Sequence, residues 1–193
     1  MIKTDRTHAI DTPNQIGETV TLKGWVDTKR DHGKITFIDL RDRSGKVQVV
    51  GVEKLSDLTT ESVVSVTGRV KQRQADYVNP DLKTGKVEVE AESYQVLNKS
   101  AELPITLESD GLEINEVPRL KYRYLDLRRE RMQHIIRMRS DFIKAMRDEL
   151  YPHNFVEIET PMLTKSTKEG ARDFIVPSRF QPGKFYALPQ SPQ

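Results

Sequence analysis

The stretch Gly24–Val50, GWVDTKRDHGKITFIDLRDRSGKVQVV, strings short β-prone runs around turn residues and decides how the first half of the chain folds. Its middle run, Ile35–Leu40, alternates. Side chains of a strand point to opposite faces in turn, so Thr36, Ile38 and Leu40 share one face and Ile35, Phe37 and Asp39 the other. If the first set faces a core, Phe37 stands outside, next to a stretch carrying Lys29, Arg30, His32 and Lys34 that reads as a basic loop.

Outward from this stretch the pattern repeats. Val20, Leu22, Gly24 and Val26 alternate against Thr21, Lys23 and Trp25, and the turn residues Ser44 and Gly45 precede a third run, Lys46–Val52. Residues 53–61 suit a short helix. Two more runs, 62–72 and 86–97, flank a loop holding Asn79, Pro80 and Gly85. Three strands, a short helical connection and two strands is the order of an all-β five-stranded OB-fold barrel, and the lack of long helices between them excludes a doubly wound sheet. Both faces of the third run are apolar, so parity leaves the direction of Gln48 open. Trp25 faces outward with no adjoining basic residue, and packing on the following hinge is expected for it.

The pattern changes near residue 100. Residues 101–120 hold two prolines, a glycine and several acids and read as a hinge. Ile135, Met138, Phe142, Met146 and Leu150 then recur at helical spacing between Arg128 and Tyr151, and Pro152 helps to end that helix. Asn154–Thr160 returns to strand alternation before Pro161. The division expected is a barrel over 1–103, a hinge over 104–127 and an incomplete α+β domain over 128–193. About sixty residues with one helix and exposed loops bury too little area for independent stability, so the chain reads as the front part of a longer protein.

Composition sets outer bounds. The 193 residues carry 31% charged and 36% hydrophobic side chains, with a net charge of +2 that selects no partner. From Arg119 to Arg139 there are eight Lys or Arg against Asp126 and Glu130, a segment that reads on charge alone as a solvated face or a basic contact. There is no cysteine, which rules out disulfides and thiolate zinc sites and fits a reducing, cytoplasmic setting. No apolar run approaches a membrane span.

An outward aromatic beside cations has three readings: a platform for an unstacked base, a ring packed under a loop or hinge, and a protein contact. Barrels of this type bind nucleic acid on the face of strands two and three, where stacking contributes about 1–3 kcal/mol per base. Arg30 and Gln48 are then the candidates for hydrogen bonds to base edges.

Four strings together resemble the N-terminal third of bacterial-type aspartyl-tRNA synthetases: Gly24–Val50, Arg119–Arg129 (RLKYRYLDLRR), the run Phe155–Phe174 and Gly183–Gln193 (GKFYALPQSPQ). The likeness runs over essentially the whole chain. The first string alone is shared with lysyl- and asparaginyl-tRNA synthetases, whereas the last two point to the aspartyl enzymes. The resemblance implies an anticodon-reading barrel, a hinge and the start of a class II catalytic domain. In a full-length enzyme that domain would activate L-aspartate with ATP and Mg²⁺ to aspartyl-adenylate and pass the aspartyl group to the 3′ end of tRNA-Asp.

Carried onto this chain, the resemblance makes Phe37 the stacking ring for the middle anticodon base. Arg30, His32, Gln48, Arg73 and Glu88 would surround it. It also implies aspartate contacts from Glu169, Ser191 and Gln193, and a homodimer interface at Pro161. Two departures stand out. Lys168 replaces the proline usual in this family, which removes a φ restraint before Glu169. Histidine rather than leucine at position 32 resembles the members that also charge tRNA-Asn. The family's ATP-holding arginines belong to motifs absent from this chain, so the chain alone is expected to make no adenylate. The alternative is a free-standing OB-fold nucleic-acid binder, which leaves the strings around Glu169 and Ser191 without a role; a dimerisation module built on the long helix is the third reading.

Overall fold

The computed structural model describes residues 6–33, 35–52, 55–166 and 173–189. The chain divides into two compact units, residues 1–133 and 134–193. In the first, β1 (Thr19–His32), β2 (Ile35–Arg41), β3 (Lys46–Val52), β4 (Val63–Gln72) and β5 (Val87–Asn98) close a barrel in the order β1-β2-β3-β5-β4. All pairings are antiparallel except β3 with β5. This is the expected OB-fold. Its core follows from period-two patterning: Val20, Leu22, Val26, Ile38, Leu40, Val64 and Val66 all point inward, and Leu55, from the short 3-10 turn Leu55–Asp57, joins them.

β1 is longer than the sequence pattern indicates. Lys29, Arg30 and His32 are strand residues, not loop residues, and Gly33, at φ +65°, turns the chain where His32 pairs with Ile35. Lys34 lies outside the described residues. The pairing of β1 with β2 shifts between Val26 and Thr28, so Asp27 is a bulge. Up to Val26, even-numbered residues of β1 face the core. A one-residue bulge reverses the parity, so Thr28, Arg30 and His32 emerge on the outer face.

The segment expected as a hinge contains two short helices, α1 (Glu116–Lys121) and α2 (Arg123–Asp126), and its basic run is largely a structural network. Asp126 is buried and accepts hydrogen bonds from Arg119, Arg123 and Arg129. Arg128 reaches back to Glu61 and places its guanidinium 5.4 Å from the centre of the Trp25 ring. Trp25 thus lines a cleft with Leu103, Pro104 and Leu125, in keeping with the packing on the hinge expected for it.

The second unit begins within α3 (Glu130–Leu150) and includes the hairpin β6 (Ile175–Pro177) with β7 (Phe185–Ala187). The strand expected at residues 154–160 does not form: these residues are irregular and exposed. Alternation alone makes no strand; backbone N–H and C=O groups need a pairing partner, and no described segment supplies one. What holds this segment is Glu157, which receives Nε and Nη2 of Arg147 at 2.8 and 2.7 Å and the Tyr151 hydroxyl at 3.1 Å. The hydrogen bonds from Arg147 and then Tyr151 hold its carboxyl below the usual carboxylate range. Among the described residues of this unit, Ala187 alone is buried, and Ile135, Met138, Phe142 and Met146 leave the apolar stripe of α3 exposed.

Candidate nucleic-acid interface

The outer face of β1, β2 and β3 carries two adjacent cross-strand rows. In one, Arg30, Phe37 and Val50 are direct neighbours; in the other, Thr28, Asp39 and Gln48 are. Side chains in such a row point the same way and interact. Phe37 is half-buried, its ring on the outside of the barrel, and the His32 ring meets it edge-on at 5.6 Å with the planes 85° apart. Ile35 extends the same face with an exposed apolar side chain.

The polar row is a chain of hydrogen bonds. Thr28 Oγ1 donates to Asp39 Oδ2 at 2.6 Å, and Nη2 of Arg30 donates to both Asp39 oxygens at 3.2 Å and to Gln48 Oε1 at 3.3 Å. Gln48 Nε2 in turn donates to Glu88 Oε2 at 3.0 Å. Nε of Arg73 lies 3.6 Å from the same carboxylate oxygen, beyond hydrogen-bond reach, while Nη1 of Arg73 holds the Tyr77 carbonyl at 3.2 Å. The structure therefore brings Arg30, Gln48, Glu88 and Arg73 into one connected set beside Phe37 and His32.

These residues differ in what they can reach. The Arg30 side chain is 49% exposed, and its Nε and Nη1 groups make no hydrogen bond with any described residue. The Arg73 side chain is only 6% exposed and pins the loop after β4. Burial lowers its pKa, opposed by the nearby Glu88 and Asp39 carboxylates and aided by Arg30. Gln48 is 9% exposed; its parity, open in the sequence, is outward, and the Arg30 and Glu88 contacts fix which end of its amide is oxygen. Asp39 joins the two strands' polar side chains at the centre of the row, and sequence reading passed over it. Its outward parity and position two residues from Phe37 were the available signal.

Pro161 is exposed in an irregular segment. Glu169, Ser191 and Gln193 lie outside the described residues, as does Lys168.

An outward ring flanked by a half-exposed guanidinium with two nitrogens left over, on a closed five-stranded barrel, suits the stacking of single-stranded bases. Comparison with known proteins agrees. Residues 20–97 match the family model described as OB-fold nucleic acid binding domain, and residues 115–193 match tRNA synthetases class II (D, K and N). Residues 115–193 thus belong with the class II tRNA synthetase domains, and residues 20–97 with the OB-fold nucleic-acid-binding domains. Curated relatives of this chain include an aspartate–tRNA(Asp/Asn) ligase of Natranaerobius thermophilus, 52% identical over 92% of this chain and 32% of the relative. A ligase of the same name from Nocardioides is 52% identical over 100% of the chain and 33% of the relative. The chain thus spans about a third of the length of the curated relatives it matches. Among solved structures, asparaginyl-tRNA synthetase from Pyrococcus horikoshii, complexed with asparaginyl-adenylate, superposes with a TM-score of 0.76 at 28% identity, over 99% of this chain and 43% of that one. An aspartyl-tRNA synthetase of Leishmania major superposes at 0.78 with 25% identity, over 100% and 41%.

Among the described residues no helix is long and apolar enough to cross a membrane, and no group of three or more His, Cys, Asp or Glu side chains could hold a metal.

Proposed function

We propose that this chain is the anticodon-reading and partial active-site portion of an aspartate–tRNA ligase. The observation that carries the proposal is the Phe37 ring, held on the outer face between Arg30 and Val50 and bordered by the Thr28–Asp39–Gln48–Glu88 row. An unpaired anticodon base stacks on Phe37. Arg30 offers its free N–H groups to a neighbouring base edge or phosphate, and Gln48 and Glu88 complete the polar border. Arg73, too buried to meet a nucleotide broadly, positions the loop after β4 and braces Glu88. Residues 1–103 serve as the anticodon-binding domain, 104–127 as the hinge and 128–193 as part of the catalytic domain.

In the whole enzyme the aspartate carboxylate attacks the α-phosphate of ATP, pyrophosphate leaves, and the aspartyl group passes to the 3′ end of tRNA-Asp. ATP with Mg²⁺ and L-aspartate are the small partners, a homodimer meeting near Pro161 is the assembly, and the cytoplasm is the setting. Glu169, Ser191 and Gln193 contact the aspartate. Among the described residues no group of side chains fits a metal, and Mg²⁺ is assigned to none of them. The aspartate–tRNA(Asp/Asn) relatives support a second substrate, tRNA-Asn, with His32 beside Phe37 as the residue that admits it.

The test is binding of tRNA-Asp and of an unrelated structured RNA to the chain and to its Phe37→Ala variant. Loss of about 1–3 kcal/mol for tRNA-Asp upon removal of the ring is expected. Equal binding by the two proteins would refute the proposal, and an equal loss for both RNAs would favour an unselective OB-fold binder.

A further inference from the structure

The outer face of the barrel carries a carboxylate where simple phosphate attraction would not place one. Among the described residues of the polar row the cations are Arg30 and Arg73, and two carboxylates, Asp39 and Glu88, lie against them. The ion-paired set therefore sums to no net charge. A surface that held RNA by its backbone alone would gain from leaving these arginines unpaired, because phosphate neutralisation is the main sequence-independent attraction. Here Nη2 of Arg30 is committed at once to both oxygens of Asp39 and to Gln48 Oε1, while Thr28 Oγ1 locks Asp39 from the other side. What remains for a ligand is Nε and Nη1 of one guanidinium, at a fixed place and angle beside the stacking ring.

We propose that Asp39 is a specificity-determining positioning residue: through its hydrogen bonds to Arg30 it both orients the guanidinium toward a base edge and cancels the charge that would otherwise capture any phosphate. The inference rests on the anticodon-reading assignment and deepens it. Specificity is a difference between affinities, and weakening the unselective attraction raises that difference as surely as strengthening the selective one. Gln48 gains from the same device. Its Oε1 takes Arg30 and its Nε2 takes Glu88, so its amide cannot flip to suit a different base.

The experiment measures binding of RNA hairpins to the whole chain across a range of salt. One hairpin carries the aspartate anticodon GUC, and others carry single changes at each of its three bases. Asp39→Asn keeps the shape and removes the charge. Binding to mismatched hairpins is expected to tighten severalfold, with log affinity falling more steeply against log salt by about 0.7, as for one added phosphate contact on a single strand. The ratio of GUC to mismatched affinity is expected to drop about tenfold, the order of discrimination one oriented polar contact carries. In an Arg30→Ala background Asp39→Asn should leave the ratio of GUC to mismatched affinity unchanged, because Asp39 orients a base contact only through Arg30.

An unchanged ratio and salt slope in Asp39→Asn would overturn the proposal, and so would the same loss of ratio with Arg30 absent. If Asp39→Asn does not fold, Thr28→Val, which removes only the hydroxyl that holds Asp39, should lower the ratio in the same direction by a smaller factor, and no change there overturns the proposal equally. Phe37→Ala, run in parallel, separates the two levels. If it leaves GUC binding intact, the anticodon assignment itself fails; if it weakens binding while Asp39→Asn leaves selectivity untouched, only the role of Asp39 fails.

Discussion

Two arginine–carboxylate clusters in the first unit use the same chemistry to different ends. Around Asp126 the network is complete. Nε of Arg129 bonds the carboxylate at 2.9 Å, Nη1 takes the Ser109 carbonyl at 2.7 Å and Nη2 the Thr106 carbonyl at 2.6 Å, while Arg119 and Arg123 satisfy the rest of Asp126. Around Asp39 the network is open, since Arg30 has donors to spare and half its side chain in solvent. A fully buried guanidinium with every nitrogen hydrogen-bonded is structural, because it is out of a ligand's reach and breaking it strands polar groups. A half-exposed guanidinium held on one side keeps donors that a ligand can reach. Completeness of the hydrogen bonding, not the residue types, separates the two.

The largest effect that would sharpen this contrast is expected at Arg129. Arg129→Met removes three kinds of partner at once and leaves Asp126 buried with fewer donors, a loss of about 3 kcal/mol or more of folding stability by urea denaturation. RNA affinity of the folded fraction should not change. A loss below about 1 kcal/mol would break the comparison, since the closed cluster would then contribute no more than an exposed pair.

Acid should expose the same cluster. Burial pushes the Asp126 carboxyl up, yet the hydrogen bonds and charges of Arg119 and Arg129 outweigh it and its pKa falls below the ordinary 3.8. With the folded value depressed, the stabilisation is fully present above the unfolded value and is lost as pH falls through the folded one. Asp42 adds in the same sense: burial raises it, but Ser44, the backbone N–H of Ala9 and His8 hold it down. Thermal unfolding should therefore lose stability below about pH 4, and Asp126→Asn, less stable at neutral pH, should show a flatter acid limb. An equally steep limb in that variant would place the acid sensitivity elsewhere.

Next in size stands Gly111. Its φ is +83°, and a β-carbon there would lie 2.6 Å from Nε of Arg129, so the closed cluster depends on a residue that contributes no side chain. Gly111→Ala should cost about 1–3 kcal/mol, seen as a lower urea midpoint with an unchanged slope.

How much of this was legible in sequence depended on the range of the interactions. The barrel was, because alternation at Val20–Val26 and Ile35–Leu40 is local and period two assigns faces without reference to anything distant. Phe37 was placed outside on that ground alone. Arg30 was not, since its outward direction depends on the bulge at Asp27, visible only when β1 is paired with β2. The run from Arg119 to Arg139 read as a basic segment because its main acidic partners are a residue it surrounds, Asp126, and one 67 positions away, Glu61. The strand expected at 154–160 failed for the opposite reason: the local pattern was present and the pairing partner was not.

The smallest effect concerns His32, and it tests how open the proposed recognition face is. The imidazole meets Phe37 edge-on and is itself exposed, so it contributes little to the fold. Leucine would fill similar space against the ring while removing both ring nitrogens, the only polar atoms this side chain can offer to a base. His32→Leu should therefore shift stability by no more than about 0.5 kcal/mol, as for surface substitutions. If His32 admits a second anticodon, the variant in the whole enzyme should charge tRNA-Asp as before and tRNA-Asn severalfold more slowly. Equal slowing of both would mean the imidazole supports Phe37 rather than reads a base. The face would then be less open at this corner than at Arg30, with the ring and its neighbour acting as one packed unit.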